Sequence, residues 1–278
     1  MNRRNCLIIL VLFIGFLSCE NEKKSEPQID KATIKSSPDL EVDHLNIWIE
    51  NPTKAKEKLT QIGFTAVPDS LSQIHGGQGT TGRYFNFLNG YLELIFVFDQ
   101  HDFDRNNELN PELDFAERND HTKNGASPFG IALRVKDYDL QKIPFEKVTY
   151  HQDWMEKNAN IYSAKNSKTN LREPSIFVVY PEIESDRFET LADLKNIPDE
   201  YGFAREFFKH PNGAKKITKI TITSTDLDLN TETIKTINGI GNVTVKNGNE
   251  HLMELYFDNH VQKKSFDLRP ELPIIVNL

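Results

Sequence analysis

His44 and Glu93 are the two side chains whose type and setting invite chemistry. An imidazole and a carboxylate both bind divalent metals, and both exchange protons near neutral pH when their surroundings tune them. Each lies in a short run dominated by β-branched and aromatic residues, Asp43-His44-Leu45-Asn46-Ile47-Trp48-Ile49-Glu50 and Tyr91-Leu92-Glu93-Leu94-Ile95-Phe96-Val97-Phe98. Such runs read as β-strands. Side chains alternate between the faces of a strand, so Leu45, Ile47 and Ile49 share one face and His44, Asn46 and Trp48 the other. In the second run Leu92, Leu94, Phe96 and Phe98 line one face, and Glu93 stands opposite, flanked by Tyr91 and Ile95. A carboxylate buried among apolar neighbours without a partner costs on the order of several kcal/mol, so Glu93 must face a cavity, a cation or water. Asn46, Trp48 and Tyr91 are candidate ligand-binding residues on that account. For Trp48, Tyr91 and Phe85 an ordinary core role is the alternative. For His44 it is a hydrogen-bonded histidine at a strand start.

The elements that must position these groups follow in order. Asn51 suits an N-cap and Pro52 the first helical position. Ala55, Leu59 and Ile62 recur at helical spacing, and Gly63 stops the helix. Residues 63–67 read as a second strand, 68–79 as a Gly- and Ser-rich loop carrying an exposed His75, and 81–88 as a third strand. Asn89-Gly90 is a two-residue hairpin turn into Tyr91. The stretch 99–125 is long, irregular and acidic, and its spacing does not match a twelve-residue calcium loop, so it reads as a solvated connector or a lid. Residues 129–135 open a second half, with Arg134 either gripping a ligand carboxylate or pairing with an acidic neighbour. A fully apolar strand follows at 175–180. Residues 184–201 read as peripheral, and His210-Pro211-Asn212-Gly213 as a turn. The remainder shows a strand at 217–223, a helix at 227–237 and a closing hairpin over 242–257.

The combination of Asp43-His44, Gly63-Phe64, Gly79-Thr80 and Tyr91-Leu92-Glu93-Leu94 resembles the glyoxalase-like branch of the vicinal oxygen chelate superfamily, and the resemblance runs from about residue 40 onward. It implies an α+β fold in which repeated strand-helix-three-strand (βαβββ) modules form an incomplete curved β-barrel with helices on the convex side. The corresponding division is module one at 40–98, an acidic connector at 99–126, module two at 127–182 and a degenerate C-terminal unit at 210–278. The resemblance also implies a divalent metal ion, with His44 and Glu93 as ligands. The second half departs from that pattern. Gly130 stands where its His is expected, and 175–180 holds no carboxylate. Two protein ligands are too few for a tight zinc site, though a harder ion can keep a looser, water-rich one. His75, His210 and Glu254 are the candidates for a third.

The N-terminus is a different kind of segment. Arg3 and Arg4 precede an apolar run at 7–17 that ends at Ser18-Cys19. A span needs roughly 20 apolar residues, so the run reads as an export signal instead. It resembles a bacterial lipoprotein signal (residues 1–18), with Phe16 where Leu is usual and Cys19 as the lipidated residue. Residues 19–39 are a polar tether. The expectation is an exported protein, lipid-anchored in the cell envelope at the outer membrane, with no disulfide once Cys6 has left. The net charge of -8 excludes nucleic acid as a partner. The functions that fit are binding of a small-molecule ligand in a sheet cleft with metal-dependent lyase, isomerase or dioxygenase chemistry, non-catalytic sequestration of such a ligand, or a surface interaction module.

Overall fold

The computed structural model describes Ser37 and residues 39–278, so Cys19 and the signal lie outside the described residues. Strand β1 (Leu40–Trp48) leads through the Asn51 cap, whose side chain accepts the Lys54 N–H, into helix α1 (Pro52–Gln61). Strands β2 (Ile74–His75), β3 (Thr80–Phe87) and β4 (Gly90–Val97) follow. The second strand is therefore not at 63–67. That segment runs extended beside β3 with a single backbone bond, Val67 N–H to Tyr84 O, while Phe64 is driven into the core; the short β2 forms instead within the glycine-rich loop.

The acidic connector is largely helical, with α2 (Gln100–Leu109), α3 (Phe115–Asn119) and α4 (His121–Asn124). Beyond it come β5 (Phe129–Val135), β6 (Lys147–Tyr150), β7 (Ile161–Ala164) and β8 (Ser175–Val178). No α-helix stands between β5 and β6. Two 3-10 turns at Lys136–Tyr138 and Leu140–Lys142 replace it, and Pro144 follows them directly. The eight strands form one strongly curled sheet in the order β2-β3-β4-β1-β5-β8-β7-β6. At its centre β1 runs parallel to β4 and antiparallel to β5, and β5 runs parallel to β8.

The C-terminal unit consists of β9 (Ile217–Ser224), α5 (Glu232–Asn238), β10 (Val243–Asn247), β11 (Leu252–Phe257), β12 (Ser265–Asp267) and β13 (Ile274–Asn277). Its order is β10-β9-β11-β13-β12, with β9 parallel to β10. It is not a shortened copy of the first unit. There the opening strand pairs with the last of the three that follow the helix; here β9 lies between the first and the second. The crossover through α5 returns at once to its own strand, and two strands absent from the sequence reading complete the sheet.

One core joins the two sheets. Leu45, Ile47, Leu92, Leu94, Ile131 and Leu133 from the first share it with Leu59 of α1, Ile234 and Ile237 of α5, and Ile222, Leu255 and Val276 of the second. Phe257 reaches across to within 4.8 Å of the Phe87 ring centre and 5.2 Å of that of Phe64. Phe85 belongs to this face and is fully buried, so it lines no site.

The opposite face of the first sheet, the site face, is covered at one end by the connector. Phe103 and Phe115 pack on Trp48 with centroid separations of 6.1 and 6.2 Å. Trp48 thus serves a small apolar cluster under the connector rather than an open pocket. Arg118, wholly buried, pins that cover. It pairs with Asp114 at 2.7 Å and donates to the carbonyls of Ser127, Leu171, Glu173 and Ser167.

Candidate functional site

A β-bulge sets the site. Val42 pairs with Leu133 and His44 with Ala132, leaving Asp43 as an extra residue in β1. Leu40 and Val42 before the bulge, and Leu45 and Ile47 after it, all face the core. The added residue switches the alternation and so turns His44 onto the site face. From there Asn46 falls opposite Glu93 in the β1–β4 register, and His44 stacks on Tyr91 with centroids 4.1 Å apart. His44, Asn46, Tyr91 and Glu93 are brought together on one face, as the alternation predicts.

Glu93 is only 5% exposed. Its one hydrogen-bond donor among the described residues is the Tyr84 hydroxyl, at 3.1 Å. That tyrosine comes from β3, where Tyr84 is the register partner of Glu93. Gly82 beside it leaves room for the carboxylate, since a Cβ there would lie 2.6 Å from Glu93 Oε1. Behind Tyr84 stands His75, which is buried rather than exposed. Its Nε2 lies 3.4 Å from the Tyr84 hydroxyl and its Nδ1 2.9 Å from Thr80 Oγ1, which accepts from Gln78 Nε2 at 2.8 Å. With Glu93 as a carboxylate and His75 neutral, one arrangement alone places a hydrogen in every contact. Gln78 donates to Thr80, Thr80 to His75 Nδ1, His75 Nε2–H to Tyr84, and Tyr84 to Glu93. Burial pushes the His75 pKa below its usual value against the opposing pull of Glu93, so the ring is neutral. Burial and the Glu93 charge push the Tyr84 and Tyr91 phenols well up, so both keep their protons. Alternation along β3 puts Thr80, Gly82 and Tyr84 on the face of their β4 neighbour Glu93, a signal present in the sequence. His75 carried none, because the glycines around it read as loop.

At His44, Nδ1 meets Asp43 Oδ1 at 2.7 Å, and Asp43 Oδ2 accepts the Ser185 backbone N–H at 2.9 Å and its hydroxyl at 3.0 Å. Burial pushes the Asp43 carboxyl up, but His44 and the two Ser185 bonds together hold it below the ordinary carboxylate value. A cavity of about 480 Å³ opens beside this pair. Asp43, His44, Tyr91, Asn89 and Arg187 contribute its polar wall and Ile217 and Ile240 part of its apolar one.

The second half of the sheet fills the space where further ligands would stand. Asn46 lies opposite Gly130, and a Cβ on Gly130 would fall 2.0 Å from Asn46 Oδ1. The Glu93 position, two residues along and one strand over, corresponds to Phe177, which pairs with Ala132 and sets its ring edge-on to His44 at 5.7 Å. Arg134 pairs with Glu184 and is not free to grip a ligand. His210 is held in the wall between the two sheets, accepting from Thr65 N–H at 3.0 Å and donating to Asn86 O at 2.9 Å. Glu254 sits in the C-terminal sheet, bonded by Tyr256. Neither reaches Glu93 as a third ligand. Among the described residues, the one group of three acidic or imidazole side chains with ligand atoms within 4.8 Å of one another is Asp99, His101 and Asp102, at the start of α2 and largely exposed.

The implied divalent metal is tested by the donors present. His44 has its Nδ1 engaged and its Nε2 without a partner, Glu93 has a single donor, and Asn46 Oδ1 is buried with no hydrogen bond among the described residues. This set fits an oxygen-preferring ion that keeps several waters, and does not fit a closed centre of four side-chain ligands.

The chain belongs to the glyoxalase-like domain family, whose model matches residues 42–237. No curated protein sequence matches it. Among solved structures, it is similar to a hypothetical protein from Staphylococcus aureus, at 13% identity and a TM-score of 0.48, covering 85% of this chain and 97% of that one. Methylmalonyl-CoA epimerase from Mycobacterium tuberculosis is similar at 15% identity and a TM-score of 0.33, over 51% of this chain and 89% of the other. A methylmalonyl-CoA epimerase in complex with methylmalonyl-CoA and NH4+ matches at 14% identity and a TM-score of 0.31, over 52% of this chain and 96% of that one.

Proposed function

We propose that this chain is an exported, lipid-anchored glyoxalase-like protein that binds a small molecule beside a divalent ion held by His44 and Glu93. The observation that carries the reading is Glu93 itself, a buried carboxylate with one neutral donor and no ion pair among the described residues. One neutral hydrogen bond does not fully replace the water that a buried carboxylate gives up, and a cation would offset the remainder. Asn46 supplies a third ligand, an amide oxygen, on the same face, and water completes the shell. When bound, such an ion polarises a ligand oxygen and stabilises charge that develops there. The chain's own groups do the rest. Tyr84 and Tyr91 remain protonated donors at the site, and His75 holds Tyr84 in line. The cavity beside Asp43 and His44, at about 480 Å³, is within the range of small-molecule sites; it meets the proposed ion site at His44 and Tyr91, while Glu93 and Asn46 lie outside its lining.

Gly130 and Phe177, in place of second-half ligands, favour a second reading, a binding protein that needs no metal. One experiment separates the two. Protein purified without chelator is analysed for metal, and binding of magnesium, calcium, manganese and zinc is measured by calorimetry for the wild type, His44→Ala and Glu93→Gln. Stoichiometric binding lost in both variants supports the ion site. Absence of any binding up to millimolar metal removes it and leaves the metal-free reading. The anchor rests on Ser18-Cys19. Cys19→Ala should abolish labelling by radioactive palmitate and release the protein from membranes; a labelled variant would end that part of the proposal.

A further inference from the structure

We infer that Asp43, locked by Ser185, is the positioning residue that decides which nitrogen of His44 faces the site. The inference rests on the ion site proposed above but is carried by different groups. Asp43 is the extra residue of the β1 bulge, which frees its side chain from the alternation and lets it lie alongside His44. The bulge needs space that only glycine leaves, because a Cβ on Gly90, the first residue of β4, would lie 2.3 Å from Asp43 O. One carboxylate oxygen meets His44 Nδ1 at 2.7 Å and the other is taken by the Ser185 N–H and hydroxyl at 2.9 and 3.0 Å. Both oxygens are therefore committed, and the carboxylate cannot rotate without breaking all three bonds.

The imidazole is equally confined. Tyr91 lies flat against it, 12° from parallel, and Phe177 closes the edge. A carboxylate accepts only, so Nδ1 must carry the hydrogen, which in the neutral ring leaves the lone pair on Nε2. Ligand histidines are commonly fixed in this way by an outer carboxylate, and its loss typically weakens metal binding 10- to 100-fold. Ser185 lies beyond β8 and Asp43 in β1, so the segment that follows the second half of the first sheet contributes to the site by aiming a ligand rather than by supplying one.

The test uses the full-length protein in wild-type, Asp43→Asn and Ser185→Ala forms. In metal-free protein, nitrogen-15 NMR of the ring should report the Nδ1–H form of His44 in the wild type and a mixture of tautomers in Asp43→Asn, whose amide both donates and accepts. Manganese or zinc affinity should fall about 10- to 100-fold in Asp43→Asn and several-fold in Ser185→Ala. A pure Nδ1–H form in Asp43→Asn, or affinity within two-fold of wild type, would overturn the inference. If Asp43→Asn does not fold, Ser185→Ala decides alone, with unchanged affinity and tautomer counting against it. If the wild type binds no ion, the proposed function fails, while the tautomer measurement still tests Asp43.

Discussion

The amide of Asn46 occupies the space in which Gly130, its partner across β1 and β5, would otherwise carry a side chain. The two positions are therefore coupled. Gly130→Ala forces Asn46 out of place and should lower stability by about 1–3 kcal/mol, the usual cost of overpacking. In an Asn46→Ala background most of that penalty should vanish, as residues in contact do not add. Urea unfolding of the four proteins in the cycle measures it, and strict additivity would show that the Asn46 amide lies elsewhere in solution.

Tyr84→Phe removes the one donor to Glu93 among the described residues. Without metal the variant should lose about 1–3 kcal/mol, because a buried acceptor is left unmet. With Glu93→Gln added the loss should shrink, and saturating divalent metal should shrink it too by supplying another partner. Thermal melts with and without the ion test both statements.

Arg118 fastens the connector over the site face. Arg118→Met leaves Asp114 charged, buried and unpaired, and should cost about 3–5 kcal/mol. Arg118→Lys keeps the charge but not the planar fork that spans Asp114 and four carbonyls, so it should recover only part. Hydrogen exchange over residues 100–124 should rise in both variants, more than in the strands beneath.

His210 gives the fold an acid-sensitive joint. Burial holds its pKa down to about 4, against an ordinary value of 6.5, despite its bond to Asn86 O. The unfolded chain therefore takes up this proton more readily than the folded one. Stability from the neutral ring is complete above pH 6.5 and is lost as pH falls toward 4, by on the order of 3 kcal/mol. His75, His121 and His251 are shifted in the same direction, so the pH profile of wild type minus His210→Gln isolates this residue. A flat difference between pH 4 and 7 would contradict the assignment.

The first unit was legible where local chemistry decides the structure. The Asn51-Pro52 start of α1, the Asn89-Gly90 turn and the placing of His44, Asn46, Tyr91 and Glu93 on one face all follow from cap, turn and alternation. What escaped was set by contacts distant in sequence. One added residue at Asp43 has no compositional mark, and Ser185 meets it only through the fold. His75 reads as loop because its glycine neighbours outweigh it. The order of β9, β10 and β11 depends on which edge a crossover takes, a choice made by the shared core. Nothing in the sequence marks Arg118, and only the carbonyls converging on it reveal its burial.

The family match ends at Ile237, yet β9 obtains both of its neighbours, β10 and β11, from the residues beyond. A chain cut at that boundary would keep a strand with two bare edges and uncover Phe64 and Phe87 where Phe257 had shielded them. Such a fragment invites edge-to-edge association. The matched stretch is therefore shorter than the packed unit, whose second sheet is completed only by the last strands.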